Sequence, residues 1–167
     1  MTNQHTNLFE SKIPEGFIMP QWENDKYFAR MLKMSDCYID YINVMDSMEV
    51  IPEARGGIDW PTPDLTIEDN LISLGYHQRQ SEYNQGFSYI VFTRDTNEYF
   101  GCFYIYPMGF RTPVNDENTN FDADISFWIT KKFYSKDLYF NFWEDLQVFI
   151  KENYPFFKFY FSNKLKP

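Results

Sequence analysis

The sequence predicts an α/β (α+β) fold with its elements in the order β-α-α-β-β-β-α-β. Three stretches carry that reading. The runs FSYIVFT at Phe87 to Thr93 and YFGCFYIY at Tyr99 to Tyr106 are apolar on both faces, as central strands covered on both sides must be. The run FDADISFWIT at Phe121 to Thr130 alternates, placing Ala123, Ile125, Phe127 and Ile129 on one face and mostly polar residues on the other, which is then a wetted side or the floor of a cleft. Leu138, Phe142, Trp143, Leu146, Phe149 and Ile150 then recur at three- and four-residue spacing, which is helical.

Taken in order, residues 1–25 are polar and broken by Pro14, Gly16 and Pro20, so they read as an arm tacked to the body by Phe17, Ile18 and Trp22. Residues 26–167 read as a single domain. Its first strand is Tyr27 to Leu32, short and aromatic-rich. Ser35-Asp36 offers capping oxygens for a helix from about Asp36 to Met48, which must end before Pro52. An irregular stretch through Gly56, Gly57 and Trp60 to Pro63 follows. Thr66-Ile67-Glu68-Asp69 resembles a capping box, with Asp in place of the usual Glu, and opens a second helix toward Tyr83. Gly86 closes that helix, and Arg94 to Asn97 supplies turn residues between the next two strands. Pro107 to Asn120 is a polar loop, Asp122 to Thr130 a strand, and Phe156 to Phe161 a final strand after the long helix stops at Tyr154-Pro155.

Composition bounds the function. With 167 residues the chain can bury a real core, and 18 Phe and 13 Tyr predict an aromatic one. A net charge of −9 argues against a nucleic-acid partner, whose phosphates call for clustered cations. No apolar run is long enough to span a bilayer. Met1 to Phe9 lacks the apolar core of a signal peptide, and two cysteines make no disulfide framework, so a cytoplasmic protein is expected. No Ser-His-Asp order, phosphate-binding P-loop, dinucleotide fingerprint or cysteine-rich metal cluster is present, and no metal ligand set is expected.

The segments GCFYIYP at Gly101 to Pro107, DADISFWI at Asp122 to Ile129 and WPTPDLTIEDNLISL at Trp60 to Leu74 resemble those of a divergent family within the GCN5-related N-acetyltransferase (GNAT) superfamily. The resemblance runs from about Tyr27 to Phe161. It implies a mixed, mainly antiparallel sheet flanked by helices, and an acyl-CoA-dependent N-acyltransferase using acetyl-CoA or another acyl-CoA on a small amine acceptor. Backbone groups at Ser126, Trp128, Ile129 and Thr130 would hold the pantetheine arm. The loop at Lys131, Lys132, Ser135 and Lys136 would face the pyrophosphate. Active members carry Gly-x-Gly or Gly-x-Ala there, because bare amides at a helix N-terminus must approach the phosphates closely. Here Lys131 to Asp137 has no glycine, so Lys131, Lys132 and Lys136 either hold an anion by charge or form an ordinary solvated loop. Typical members continue through another helix and two strands beyond the last strand found here, a wall of the acceptor cleft expected to be absent or supplied by another subunit. A homodimer through the open sheet edge fits either case.

Several residues keep two readings. Asp122 and Asp124 stand where an acetyltransferase sometimes places its general base, or they form an exposed polar face or anchor a loop. Tyr134 is a candidate proton donor to a leaving thiolate, or packs. Trp128 lines a cleft or joins the core. His77 is expected on a helix surface and Cys102 as a small buried hydrophobe. The alternative function is a non-catalytic ligand-binding or interaction domain that has lost the pyrophosphate loop.

Overall fold

The computed structural model describes residues 9–55 and 59–167. Six strands form one sheet in sequence order: β1 (Trp22–Glu23), β2 (Tyr27–Met31), β3 (Phe87–Thr93), β4 (Tyr99–Pro107), β5 (Ala123–Ile129) and β6 (Phe159–Phe161). All neighbours are antiparallel except β5 and β6. That last pair is parallel because a helix crosses between its strands. The helices are α1 (Cys37–Asp46), the single turn α2 (Ile51–Ala54), α3 (Ile67–Glu82) and α4 (Lys136–Asn153). The mixed, mainly antiparallel sheet flanked by helices is therefore present, with β1 and α2 added to the expected order.

Each face of the sheet has its own core. On one, α4 lays Phe142, Leu146, Phe149 and Ile150 against Tyr89, Phe103, Ile125 and Phe127. On the other, α1 and α3 cover Ile90, Cys102, Tyr104, Tyr106 and Trp128. Aromatic pairs knit the first core, such as Tyr89 stacked on Phe103 with centroids 4.2 Å apart. The N-terminal region contributes to that core: residues 9–12 are helical, Phe9 and Trp22 are buried, and Trp22 lies in a strand paired to β2. Of the predicted anchors, Phe17 packs against the core, whereas Ile18 is exposed.

A bulge sets the face of β4. Val91 pairs with Gly101 but Phe92 pairs with Tyr99, leaving Phe100 as the extra residue. The slip lets Phe100 and Phe103 share the α4 side while Tyr99 and Cys102 share the other. Gly101 sits at the tightest point, where a Cβ would lie 2.1 Å from the Trp128 carbonyl oxygen.

Local signals mostly hold. The Thr66 hydroxyl accepts from Asp69 N while Asp69 accepts from Thr66 N, which is the predicted capping box. Asp36 behaves differently: its carboxylate takes a two-pronged bond from Arg30, both contacts at 2.8 Å, and accepts from Lys33 N, instead of capping α1. The alternation of β5 does not produce a wetted face. All seven of its residues are buried: Trp128 packs in the core under α1 and α3, Asp124 is met by Thr112 from the loop after β4, and Ser126 lines a cavity.

Candidate functional site

On the α3 side of the sheet lies a cavity of about 350 Å³ lined by Arg55, Trp60, Ser73, His77, Tyr104, Phe110, Arg111, Thr112, Ser126 and Ser162. From α3 come Ser73 and His77, four residues apart on one side of the helix. Paired positions of β4 and β5 give Tyr104 and Ser126, with the next pair on that face, Tyr106 and Asp124, beside the cavity. Arg55 follows α2, and Arg111 and Thr112 come from the loop after β4.

His77 is buried here, not on the helix surface, and this corrects the expectation from sequence. Its Nδ1 lies 2.7 Å from the Tyr106 hydroxyl and 2.8 Å from Ser88 Oγ. Burial, reinforced by the nearby guanidinium groups of Arg111 and Arg55, lowers its pKa to about 3, so the ring is neutral at pH 7. Pairing of buried polar groups explains its inward position: its carbonyl accepts from Ser81 Oγ, which in turn accepts from Ser88 N, tying α3 to β3.

The two arginines lie over aromatic rings. Arg55 stands 4.3 Å from the Tyr104 ring centre and 5.3 Å from that of Trp60. Arg111 stands 4.7 Å from Tyr106 and 5.4 Å from Tyr104. Neither makes an ion pair among the described residues.

The sequence-predicted site residues separate into three groups. Asp124 is buried beside the cavity; one carboxylate oxygen accepts from Thr112 Oγ1 at 2.6 Å and the other is buried without a partner. Burial raises its pKa, against lowering by its hydrogen bonds and by Arg111 and Arg55. Asp122 is instead a loop anchor: it accepts from the amides of Phe157 and Lys158 and pairs with Lys12 at 3.3 Å. Trp128 packs in the α1–α3 core with Nε1 donating to the Tyr104 hydroxyl at 3.1 Å, and Ile129 packs in the α4 core.

The second group is the loop after β5. Lys131 pairs with Glu49, Lys132 with Glu98, and Ser135 caps α4 by accepting from Leu138 N. Lys136 opens the helix and is exposed, and Tyr134 leans on Tyr139. Several loop amides are already used: Thr130 N donates to Phe100 O, Lys131 N to Ser47 Oγ and Phe133 N to Thr130 O. Thr130 Oγ1 is buried without a partner.

The third group is the outer edge of β5, expected to hold pantetheine, and here the chain's own C-terminal segment lies along it. Ser162 N donates to Ile125 O. Asn163 donates to Phe127 O at 2.9 Å and accepts from Phe127 N at 3.1 Å. It also donates to the Tyr139 hydroxyl, which bonds Leu165 O, while Lys164 N bonds Ala54 O. Sequence reasoning missed Arg55, Arg111 and Asn163, because their partners are distant in the chain.

Strand order, the parallel last pair and the helix between its strands define the acetyltransferase class of α/β fold. Comparison with solved structures places it more narrowly, in the GNAT fold. A ribosomal L7/L12 α-N-protein acetyltransferase, RimL, solved with coenzyme A, matches with a TM-score of 0.56 at 14% identity over 76% of this chain and 64% of that one. A putative ribosomal-protein-serine acetyltransferase from Vibrio cholerae matches with a TM-score of 0.58 at 12% identity over 80% and 67%. The microcin C7 self-immunity acetyltransferase MccE, solved with acetyl-CoA and AMP, gives 0.51 at 12% over 77% and 64%. The chain thus spans about two thirds of the length of these structures. No protein-family model and no curated protein matches the sequence. Among the described residues no cluster of acidic, histidine or cysteine side chains could hold a metal ion, and no helix is long and apolar enough to cross a membrane.

Proposed function

We propose that this acetyltransferase-like protein works through the cavity between α3, β4 and β5, binding a small molecule there without acyl transfer. The observation that carries the reading is the pairing of Asn163 with both backbone groups of Phe127, on the edge where an acyl-CoA arm would have to bond. With that edge taken, the loop free of glycine and two of its lysines paired, the residues present do not fit acyl-CoA as they are arranged. The cavity, by contrast, combines aromatic walls with a few converging polar groups, the usual make-up of a small-molecule site. Calorimetric titration with acetyl-CoA and CoA tests this: no heat is expected at millimolar ligand, and saturable binding with turnover of any amine would overturn it.

One observation favours the second reading, acyl transfer from acyl-CoA to an amine. Asp124 keeps a buried carboxylate oxygen without a donor beside the cavity, as a general base awaiting an amine proton would. On that reading the C-terminal segment must leave β5 before the donor enters, and CoA would protect Asn163 and Leu165 less well from proteolysis than the free protein does. Protection that CoA leaves unchanged would remove this route.

A further inference from the structure

We infer that the cavity is a site for a small organic anion, a carboxylate on a flat apolar body, with its charge held between Arg55 and Arg111. The inference rests on the binding reading above and names its ligand class.

The argument begins with how the two guanidinium groups are used. Each guanidinium carbon lies over two aromatic rings, a contact that does not use its N–H donors. Among the described residues neither edge donates a hydrogen bond to a side chain or carbonyl, and neither meets a carboxylate within 4 Å. The undescribed residues 1–8 and 56–58 include no Asp or Glu that could supply one. A guanidinium edge is a rigid fork that matches a carboxylate in a two-pronged bond. Two such forks converge on one cavity in a protein whose net charge is −9.

The other walls set the body of the ligand. Tyr104, Phe110 and Trp60 line the same space, and Phe110 stacks on Tyr106 with planes 13° apart. Such walls suit a ring or a short apolar chain. Of the polar groups around the cavity, His77 is neutral, and Asp124 turns one oxygen to Thr112.

The test uses benzoate, its neutral analogue benzamide, and inorganic phosphate, each at the same ionic strength. Binding is read by thermal shift and by tryptophan fluorescence, since Trp60 lines the cavity. Benzoate is expected to saturate and to bind at least tenfold more tightly than benzamide, with phosphate showing no saturable shift. Arg111→Gln and Arg55→Gln should each weaken benzoate about tenfold and leave benzamide unchanged. Arg111 is exposed, so Arg111→Gln keeps the test open if Arg55→Gln fails to fold. Equal binding of benzoate and benzamide would leave a ligand site but overturn its anion preference. Phosphate matching benzoate, or a folded Arg111→Gln protein binding benzoate undiminished, would also overturn it. Failure of both ring probes would remove the preference together with the binding reading.

Discussion

The side chain of Asn163 pairs with Phe127 as a neighbouring strand would, donating to its carbonyl at 2.9 Å and accepting from its amide at 3.1 Å. Beyond Phe161 the parallel β5–β6 ladder ends, so one amide side chain replaces a missing strand residue. The same NH₂ group reaches the Tyr139 hydroxyl at 2.6 Å, linking the sheet edge to α4. Asn163→Ala leaves two buried backbone groups without partners, at about 1–3 kcal/mol each. The expected loss is about 2–6 kcal/mol in urea unfolding, with the slope unchanged. A loss within 0.5 kcal/mol, roughly what an ordinary surface substitution gives, would mean that water replaces the amide at no cost.

His77 makes stability depend on pH. Its folded pKa is about 3, below the ordinary value of 6.5, so between those values the unfolded chain binds more protons. Its contribution is complete above about pH 6.5 and is lost as pH falls, by up to about 1.4 kcal/mol per pH unit. Asp40 and Asp124 act the other way, since burial raises their pKa and protonation at low pH relieves a buried charge. Comparison with His77→Asn separates the two effects: the difference between the proteins should narrow steadily from pH 7 to pH 5. Parallel curves would show that the ring takes up a proton in the native state as readily as in the unfolded chain.

Gly101 and Gly75 predict opposite outcomes for the same substitution. At Gly101 a new methyl would meet the Trp128 carbonyl oxygen at 2.1 Å, where both strands are fixed by pairing. Gly101→Ala should lower stability by more than the roughly 1–3 kcal/mol of ordinary overpacking. At Gly75, inside α3, the methyl meets only the Met34 side chain, with the sulfur at 3.5 Å. Gly75→Ala should therefore gain about 0.5–1 kcal/mol through helix propensity. Thermal unfolding of both variants checks the pair, and a stable Gly101→Ala protein would mean that the β4–β5 register can shift.

Local periodicity made most of the fold legible. The run from Phe87 to Thr93, the capping box at Thr66 and the apolar stripe of α4 each carry their signal within a few residues, and each formed as read. The candidate site was less legible. His77 sits in a stripe with Asn70 and Ser81 at helical spacing, but polar residues at those positions look like a solvated face until tertiary partners such as Ser88 and Tyr106 are known. The alternation of β5 left a wetted side and a cleft floor equally open for the same reason: Ser126 and Asp124 are polar yet buried, and Ser126 lines the cavity. Arg55 and Arg111 are separated by 56 positions in the chain, and the fold brings both over the Tyr104 ring.

Asp124 separates a functional carboxylate from a structural one. Its raised pKa means that the folded environment disfavours its charged form, despite the bond from Thr112 and the field of the two arginines. Because the folded pKa lies above the ordinary carboxylate value, the cost is present at pH 7 and disappears as pH falls through the folded pKa. Asp124→Asn keeps an oxygen for Thr112 and removes the buried charge, so stability at pH 7 should be unchanged or higher by about 1 kcal/mol. That gain should vanish at low pH, where the wild-type carboxyl is itself neutral. A residue whose charge serves structure would give the opposite, a loss at pH 7. Chemical denaturation at two pH values reads the difference, and the same variant tested with acetyl-CoA and an amine shows whether the charge is kept for chemistry. A clear loss of stability at pH 7 would make Asp124 a partner of the arginines in the fold and remove it as a candidate base.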